Sequence, residues 1–144
     1  MKIKFVVSIL FISILLTSCS LSSDNNYPQV IRSDWHLRNV TGGVEGVNDD
    51  FGYSEVVWTF NEDLGTLTIT NNNTDTSKED GLDSGTYTYS LIEDGNNTFL
   101  VVDGSELGSI TISATQFIID ENLTSSGTGA DGFVYTFQLV QVTQ

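Results

Sequence analysis

The chain has 144 residues, 19 of them acidic and 5 basic, for a formal net charge of −14. So acidic a balance excludes nucleic acid as a partner, because affinity for phosphates rests on Lys and Arg displacing counterions, and a single cysteine excludes a disulfide framework. The length suits one domain built on one core.

Lys2 and Lys4 precede an apolar run from Phe5 to Leu16 that only Ser8 and Ser13 interrupt. Twelve residues fall short of the roughly 20 that a spanning helix needs, and the polar stretch SCSLSSDNN follows at once, so residues 1–18 read as a signal peptide. The segment Leu16-Thr17-Ser18-Cys19 resembles the lipobox of bacterial lipoproteins. That resemblance implies cleavage ahead of Cys19, a thioether from its sulfur to diacylglycerol and an acylated new amino terminus. Such an anchor holds a protein on a bilayer, since each buried methylene contributes about 0.8 kcal/mol. The implied location is the cell envelope, on the outer membrane, facing either the periplasm or the exterior. With Cys19 lipidated, no thiol is left for catalysis or zinc, and three bases (Arg32, Arg38 and Lys78) stand against 19 acids for a net charge of −16.

Residues 19–29 are polar, lack periodicity and contain the only proline, Pro28, which makes them a tether. Ten extended residues reach at most roughly 33–36 Å. Within the tether, Ser22-Ser23-Asp24 resembles the surface-export signals of Bacteroidota lipoproteins.

From Trp35 onward the apolar period is two, which predicts strands, and residues 30–144 read as the folded domain. Trp35-His36-Leu37 is the first. In SEVVWTF, Val56, Trp58 and Phe60 alternate with Val57 and Thr59, and after the turn residues 61–65 LTIT repeats the pattern at Leu67 and Ile69. TYTYSLI places Tyr87, Tyr89 and Leu91 on one side; FLVV, SITIS and QFIID follow; and GFVYTFQLVQV sets Phe133, Tyr135, Phe137 and Leu139 on one face. The breaks fall at 72–85, 94–97, 103–108, 114–115 and 121–132. Eight short strands with close connections predict an all-β domain, an eight-stranded antiparallel up-and-down barrel that removes its own edges. A β-sandwich is the alternative. An outer-membrane barrel fits poorly, because its strands need about 9–11 residues with an apolar outward face and these are mostly shorter with Thr-rich outward faces.

The lipobox, the tether, the Trp35-x-Leu37 strand, the glycines Gly42, Gly43 and Gly46, the Trp58-x-Phe60 strand and the aromatic last strand together resemble the lipocalin-like lipoproteins of Bacteroidota. The resemblance covers nearly all of the chain beyond the leader and implies a lipocalin or calycin-like barrel.

Chemistry is sparse. His36, the only histidine, falls on the face opposite Trp35 and Leu37 and reads as a solvated or edge residue. No nucleophile elbow, Cys-His pair, phosphate loop or His-rich metal spacing occurs, so neither enzymatic activity nor a cofactor is expected. The acidic stretches 48–50, 79–83, 120–122 and 131–132 could offer calcium its six to eight oxygens, but none has EF-hand spacing and Asx-Gly pairs are ordinary hairpin residues; no metal site is assigned. Trp58, Phe60, Tyr87, Tyr89, Phe99, Phe133, Tyr135 and Phe137 form an aromatic lining, which either closes as a solid core or admits one small hydrophobic ligand. The competing reading is a monomeric, non-catalytic envelope interaction or carbohydrate-binding module that presents an exposed aromatic such as Trp35.

Overall fold

A strand with alternating residues has one face to bury, and a set of such strands leaves no edge open only when the sheet closes on itself. The computed structural model describes residues 31–143, so the leader (1–18), Cys19 and the tether (19–29) lie outside the described residues. Its strands are β1 (Ile31–Gly42), β2 (Val47–Asp50), β3 (Val56–Asn61), β4 (Thr66–Asn71), β5 (Gly85–Asp94), β6 (Asn97–Val102), β7 (Ser105–Ile112), β8 (Gln116–Asp120), β9 (Leu123–Thr124), β10 (Gly127–Thr128) and β11 (Phe133–Thr143). The described residues contain no helix. Neighbours pair antiparallel in the order β1-β3-β4-β5-β6-β7-β8-β11, and β11 returns to β1 over nearly its whole length. This is an eight-stranded closed antiparallel barrel with up-and-down connections, as the sequence predicts. Strand β2 prolongs the line of β3 along β1, and β9 and β10 form a separate hairpin within the connection to β11.

Two elements differ from the sequence expectation. The first strand extends well beyond Trp35-His36-Leu37, because a bulge at Arg38 shifts the register against β11 between Leu37 and Asn39. The extra residue changes the parity of the inward face: Leu37 is buried before it and Val40 after it. Acidic residues 48–50, expected in a loop, form β2, where the Asn39 side chain donates to Asn48 Oδ1 and Asp50 Oδ1.

Turn chemistry fixes the remaining register. At the β6–β7 turn Asp103 (φ 48°) and Gly104 (φ 79°) both take the left-handed conformation that a tight two-residue hairpin demands. The Asp103 carboxylate also accepts from the Thr88 amide and hydroxyl, tying this turn to β5. At Gly108, next to the β7 bulge at Leu107, a Cβ would stand 2.3 Å from the Asp120 carbonyl oxygen, so only glycine allows β7 and β8 to approach.

The core is organised around four rings. Trp58 and Phe137 lie 5.0 Å apart, Phe137 and Phe117 5.5 Å, Phe117 and Phe60 5.7 Å, and Phe60 and Trp58 6.4 Å, which closes a circuit across the barrel. All four pairs are tilted or edge-on, the geometry aromatic quadrupoles favour. One end of the barrel carries the turns at 62–65, 95–96 and 113–115 and the start of β1. Across the other end runs the segment 72–84, whose Leu82 packs on the core and whose Gly81 lies against Trp58 and Tyr135. Phe137 touches two other members of the circuit and is fully buried, so Phe137→Ala is expected to lower stability by about 3–5 kcal/mol. A urea unfolding series measures this, and a loss below about 1 kcal/mol, the scale of an ordinary surface change, would contradict the assignment.

Candidate ligand-binding site

Because the four-ring layer fills only the middle of the barrel, space remains at both ends. At the end with the short turns lies an open cup of about 700 Å³. Trp35, Phe60, Tyr89, Leu100, Ile110 and Phe117 form its floor and walls, and Leu91 and Ile112 stand higher in it. The last two are 50% and 61% exposed although they are aliphatic, since no side chain reaches across to cover them. Around the lip are Arg32, Ser33, Thr59, Asn61, Glu62 and Asp63. This is the usual composition of a small-molecule site, apolar within and with a few polar groups at the entrance.

Local sequence explains the opening. Strand β5 runs on beyond its pairing with β4, which ends at Thr88; the Tyr89 amide still donates to the Gly65 carbonyl in the β3–β4 turn, and Leu91 pairs only with β6. The β3–β4 turn is therefore shorter than the wall beside it. Phe60 meets Tyr89 edge-on at 4.9 Å and Trp35 tilts against Phe117 at 5.6 Å, giving the cup an aromatic base. Burial, and then the neighbouring Glu62 charge, push the Tyr89 phenol above its ordinary value, so Tyr89 remains a neutral hydroxyl in the cup.

The second space, about 130 Å³, sits at the covered end between Trp58, Glu79, Gly81, Leu82, Leu107, Ile119, Glu121 and Tyr135. Tyr135 has its hydroxyl 3.1 Å from Glu79 Oε1 and 3.3 Å from Glu121 Oε1. Burial first, and then the two carboxylates, drive this phenol far above its ordinary range.

The eight aromatics singled out in the sequence thus divide among distinct places. Phe60 and Tyr89 line the cup, whereas Trp58 and Tyr135 line the covered cavity. Phe137 belongs to the layer between them. Tyr87 packs on the core and donates its hydroxyl to the Asp83 carbonyl, and Phe133 lies beside Tyr135 at 6.3 Å. Phe99 is buried but lies outside the interior cluster, on the opposite face of β6 from Leu100 and Val102. Leu91, Ile110, Ile112 and Phe117 were visible as alternating apolar residues, but nothing local distinguishes a methyl that faces a cup from one that faces a core. Trp35 is not an exposed surface aromatic; it is half-buried in the cup wall.

His36 also departs from the solvated position its alternation suggests. It is 8% exposed, because residues 51–55 fold over the outer face of β1: the Ser54 amide donates to His36 Nδ1, and the Tyr53 ring stands beside the imidazole. Arg38 holds this flap, with its guanidinium over the Tyr53 ring and hydrogen-bonded to the Phe51 carbonyl. Next to it, buried Asp34 accepts from Arg32 through two bonds of 2.9 Å and from the Thr59 hydroxyl at 2.7 Å. Such an arrangement ties the flap 51–55 and the start of β1 to the barrel wall. No group of three or more His, Cys, Asp or Glu side chains is placed to hold a metal ion among the described residues.

Burial lowers the His36 pKa, Asp34 opposes the shift and Arg38 reinforces it, with a net fall below the ordinary 6.5. Burial alone would raise Asp34, but the hydrogen bonds from Arg32 and Thr59 and the charges of Arg32 and His36 outweigh it and hold the carboxyl below its usual value. Both groups therefore bind fewer protons folded than unfolded, so stability must fall with falling pH. The His36 contribution is complete above about pH 6.5 and fades below it, and the Asp34 contribution is complete above about pH 4 and is lost as pH falls further. Calorimetry is expected to show Tm decreasing from about pH 7 to pH 5, and His36→Gln should flatten that interval. An unchanged slope in the variant would contradict the assignment.

No family model matches the chain, and no curated protein or solved structure matches it either.

Proposed function

We propose that the protein is a non-catalytic, lipid-anchored envelope lipoprotein whose barrel binds one small hydrophobic ligand in the open cup. The observation that carries the ligand reading is the exposure of Leu91 and Ile112 inside a concavity of about 700 Å³, a volume in the range of ligand pockets. Two aliphatic side chains left in water within a recess lose the burial each could gain, worth about 1.5–3 kcal/mol per side chain. An apolar ligand recovers that energy. The Tyr89 hydroxyl and the polar lip supply hydrogen bonds that orient it.

The anchor reading rests on the sequence: Lys2 and Lys4, the apolar run and the lipobox-like Leu16-Thr17-Ser18-Cys19. The tether over residues 19–29 would hold the barrel off the membrane, and the strong negative charge would keep it from settling on anionic headgroups. Membrane attachment therefore falls to the lipid, and binding falls to the cup.

Two experiments test these parts separately. The fluorophore 1-anilinonaphthalene-8-sulfonate should bind saturably at one site per chain, and Leu91→Glu together with Ile112→Glu should abolish the binding while leaving Tm within a few degrees of the parent. These positions are already exposed, so the variants lose the site without losing the core. Unsaturable binding, or binding that survives both substitutions, would refute the cup. For the anchor, Cys19→Ala should leave a precursor that takes up no labelled palmitate, and undiminished labelling would remove the lipoprotein reading.

A further inference from the structure

The covered end of the barrel holds an electrostatic arrangement that the cup does not use. Glu79, from the segment 72–84, and Glu121, from the end of β8, reach the same Tyr135 hydroxyl at 3.1 and 3.3 Å. One hydroxyl carries one proton and can satisfy only one carboxylate at a time. Each carboxylate has one further donor, the Gly81 amide to Glu79 Oε1 and the Phe133 amide to Glu121 Oε2, both at 3.0 Å, and neither donor carries a charge. None of the three basic side chains among the described residues answers them. Arg32 pairs with Asp34, Arg38 covers Tyr53, and Lys78 donates to the Asp50 carbonyl over the Phe51 ring.

A second, independent feature points into the same cavity. Trp58 is 2% exposed and its Nε1 is buried with no hydrogen-bond partner. The indole lines the cavity, and its edge carrying Cζ2 and Nε1 lies beside Gly81 of the same cavity wall, with 3.8 Å between Cζ2 and a Cβ built on Gly81. An unmet indole donor in a buried site loses a hydrogen bond that water would have given it. The cavity therefore presents one unfilled donor, two carboxylates without a countercharge and two aromatic rings, Trp58 and Tyr135, all against the aliphatic walls of Leu82, Leu107 and Ile119.

We propose that this cavity is a second binding site, for a small organic ammonium compound that also carries a hydroxyl or ether oxygen. The ammonium would be held by Glu79 and Glu121 with the faces of Trp58 and Tyr135 beside it, since aromatic faces attract cations. The oxygen would accept from Trp58 Nε1. A metal ion fits less well, because calcium seeks six to eight oxygens and only two carboxylates converge here. The volume, about 130 Å³, corresponds to about four waters at liquid density, enough for a molecule the size of ethanolamine. The site lies beyond the four-ring layer from the cup, so it stands or falls independently of the hydrophobic ligand.

The test is nuclear magnetic resonance on the full-length ¹⁵N-labelled chain in detergent micelles, following the Trp58 indole N–H, which Trp35→Phe identifies by elimination. Ethanolamine should shift that resonance saturably, whereas ethylene glycol, of like size but uncharged, should not. The double variant Glu79→Gln, Glu121→Gln should weaken ethanolamine at least tenfold. The inference is overturned by an indole signal that ethanolamine never moves, by an equal response to ethylene glycol, by a shift given by calcium chloride instead, or by undiminished affinity in the double variant.

Discussion

Everything distinctive about this barrel follows from four rings that nearly fill its cross-section. Trp58, Phe60, Phe117 and Phe137 come from β3, β8 and β11, strands that meet only when the sheet has closed. Aromatic pairs of this kind are worth about 0.5–1.5 kcal/mol each beyond the area they bury. Placed at mid-height, they leave the two ends of the interior separated from each other. A barrel of eight strands either packs solid or admits one small molecule; here the packing is solid at the centre and incomplete at each end.

The two ends acquire opposite character from their connections. Short turns of two to four residues close the strand pairs at the cup end, too short to fold back over the opening, and the longer β5–β6 hairpin raises one wall above its neighbour. At the other end the connections over 72–84 and 121–132 are long, and they bring Leu82, Glu79 and Glu121 over the interior. Asn71, Asn73 and Asn122 hold these segments by side-chain bonds to their own backbone and neighbours, the work for which Asx residues are suited. Many residues that read as candidate calcium ligands are thus occupied as turn acceptors: Asp80 takes the Asn73 amide and Asp120 the Asn122 amide.

The strand pattern was legible in the sequence because alternation is a local property, and so were closure and the eight-stranded count, since so many short strands with tight turns need an edge-free arrangement. Strand β1 was only partly legible. Its bulge at Arg38 reverses the alternation between Leu37 and Val40, and no residue type signals that. The burial of His36 and Asp34 was hidden for a related reason. Alternation tells which face a residue takes but not whether a flap such as 51–55 returns to cover it. For the site, the aromatic lining was visible as a set, but its division into floor, divider and far cavity depends on height along the barrel, which comes from register between strands distant in the chain. Leu91 and Ile112 illustrate this: each resembles any inward aliphatic, and only their height at the open end of the barrel leaves them exposed.

The central claim is that the four-ring layer separates the cup from the covered cavity, so that an apolar ligand meets only the residues above the layer. Nuclear Overhauser contacts between 1-anilinonaphthalene-8-sulfonate and ¹³C-labelled methyl groups test this directly. The account predicts contacts to the methyls of Leu91, Ile110 and Ile112 and none to Leu82, Leu107 and Ile119. Contacts to the second group would show that the ligand passes the layer and would contradict it.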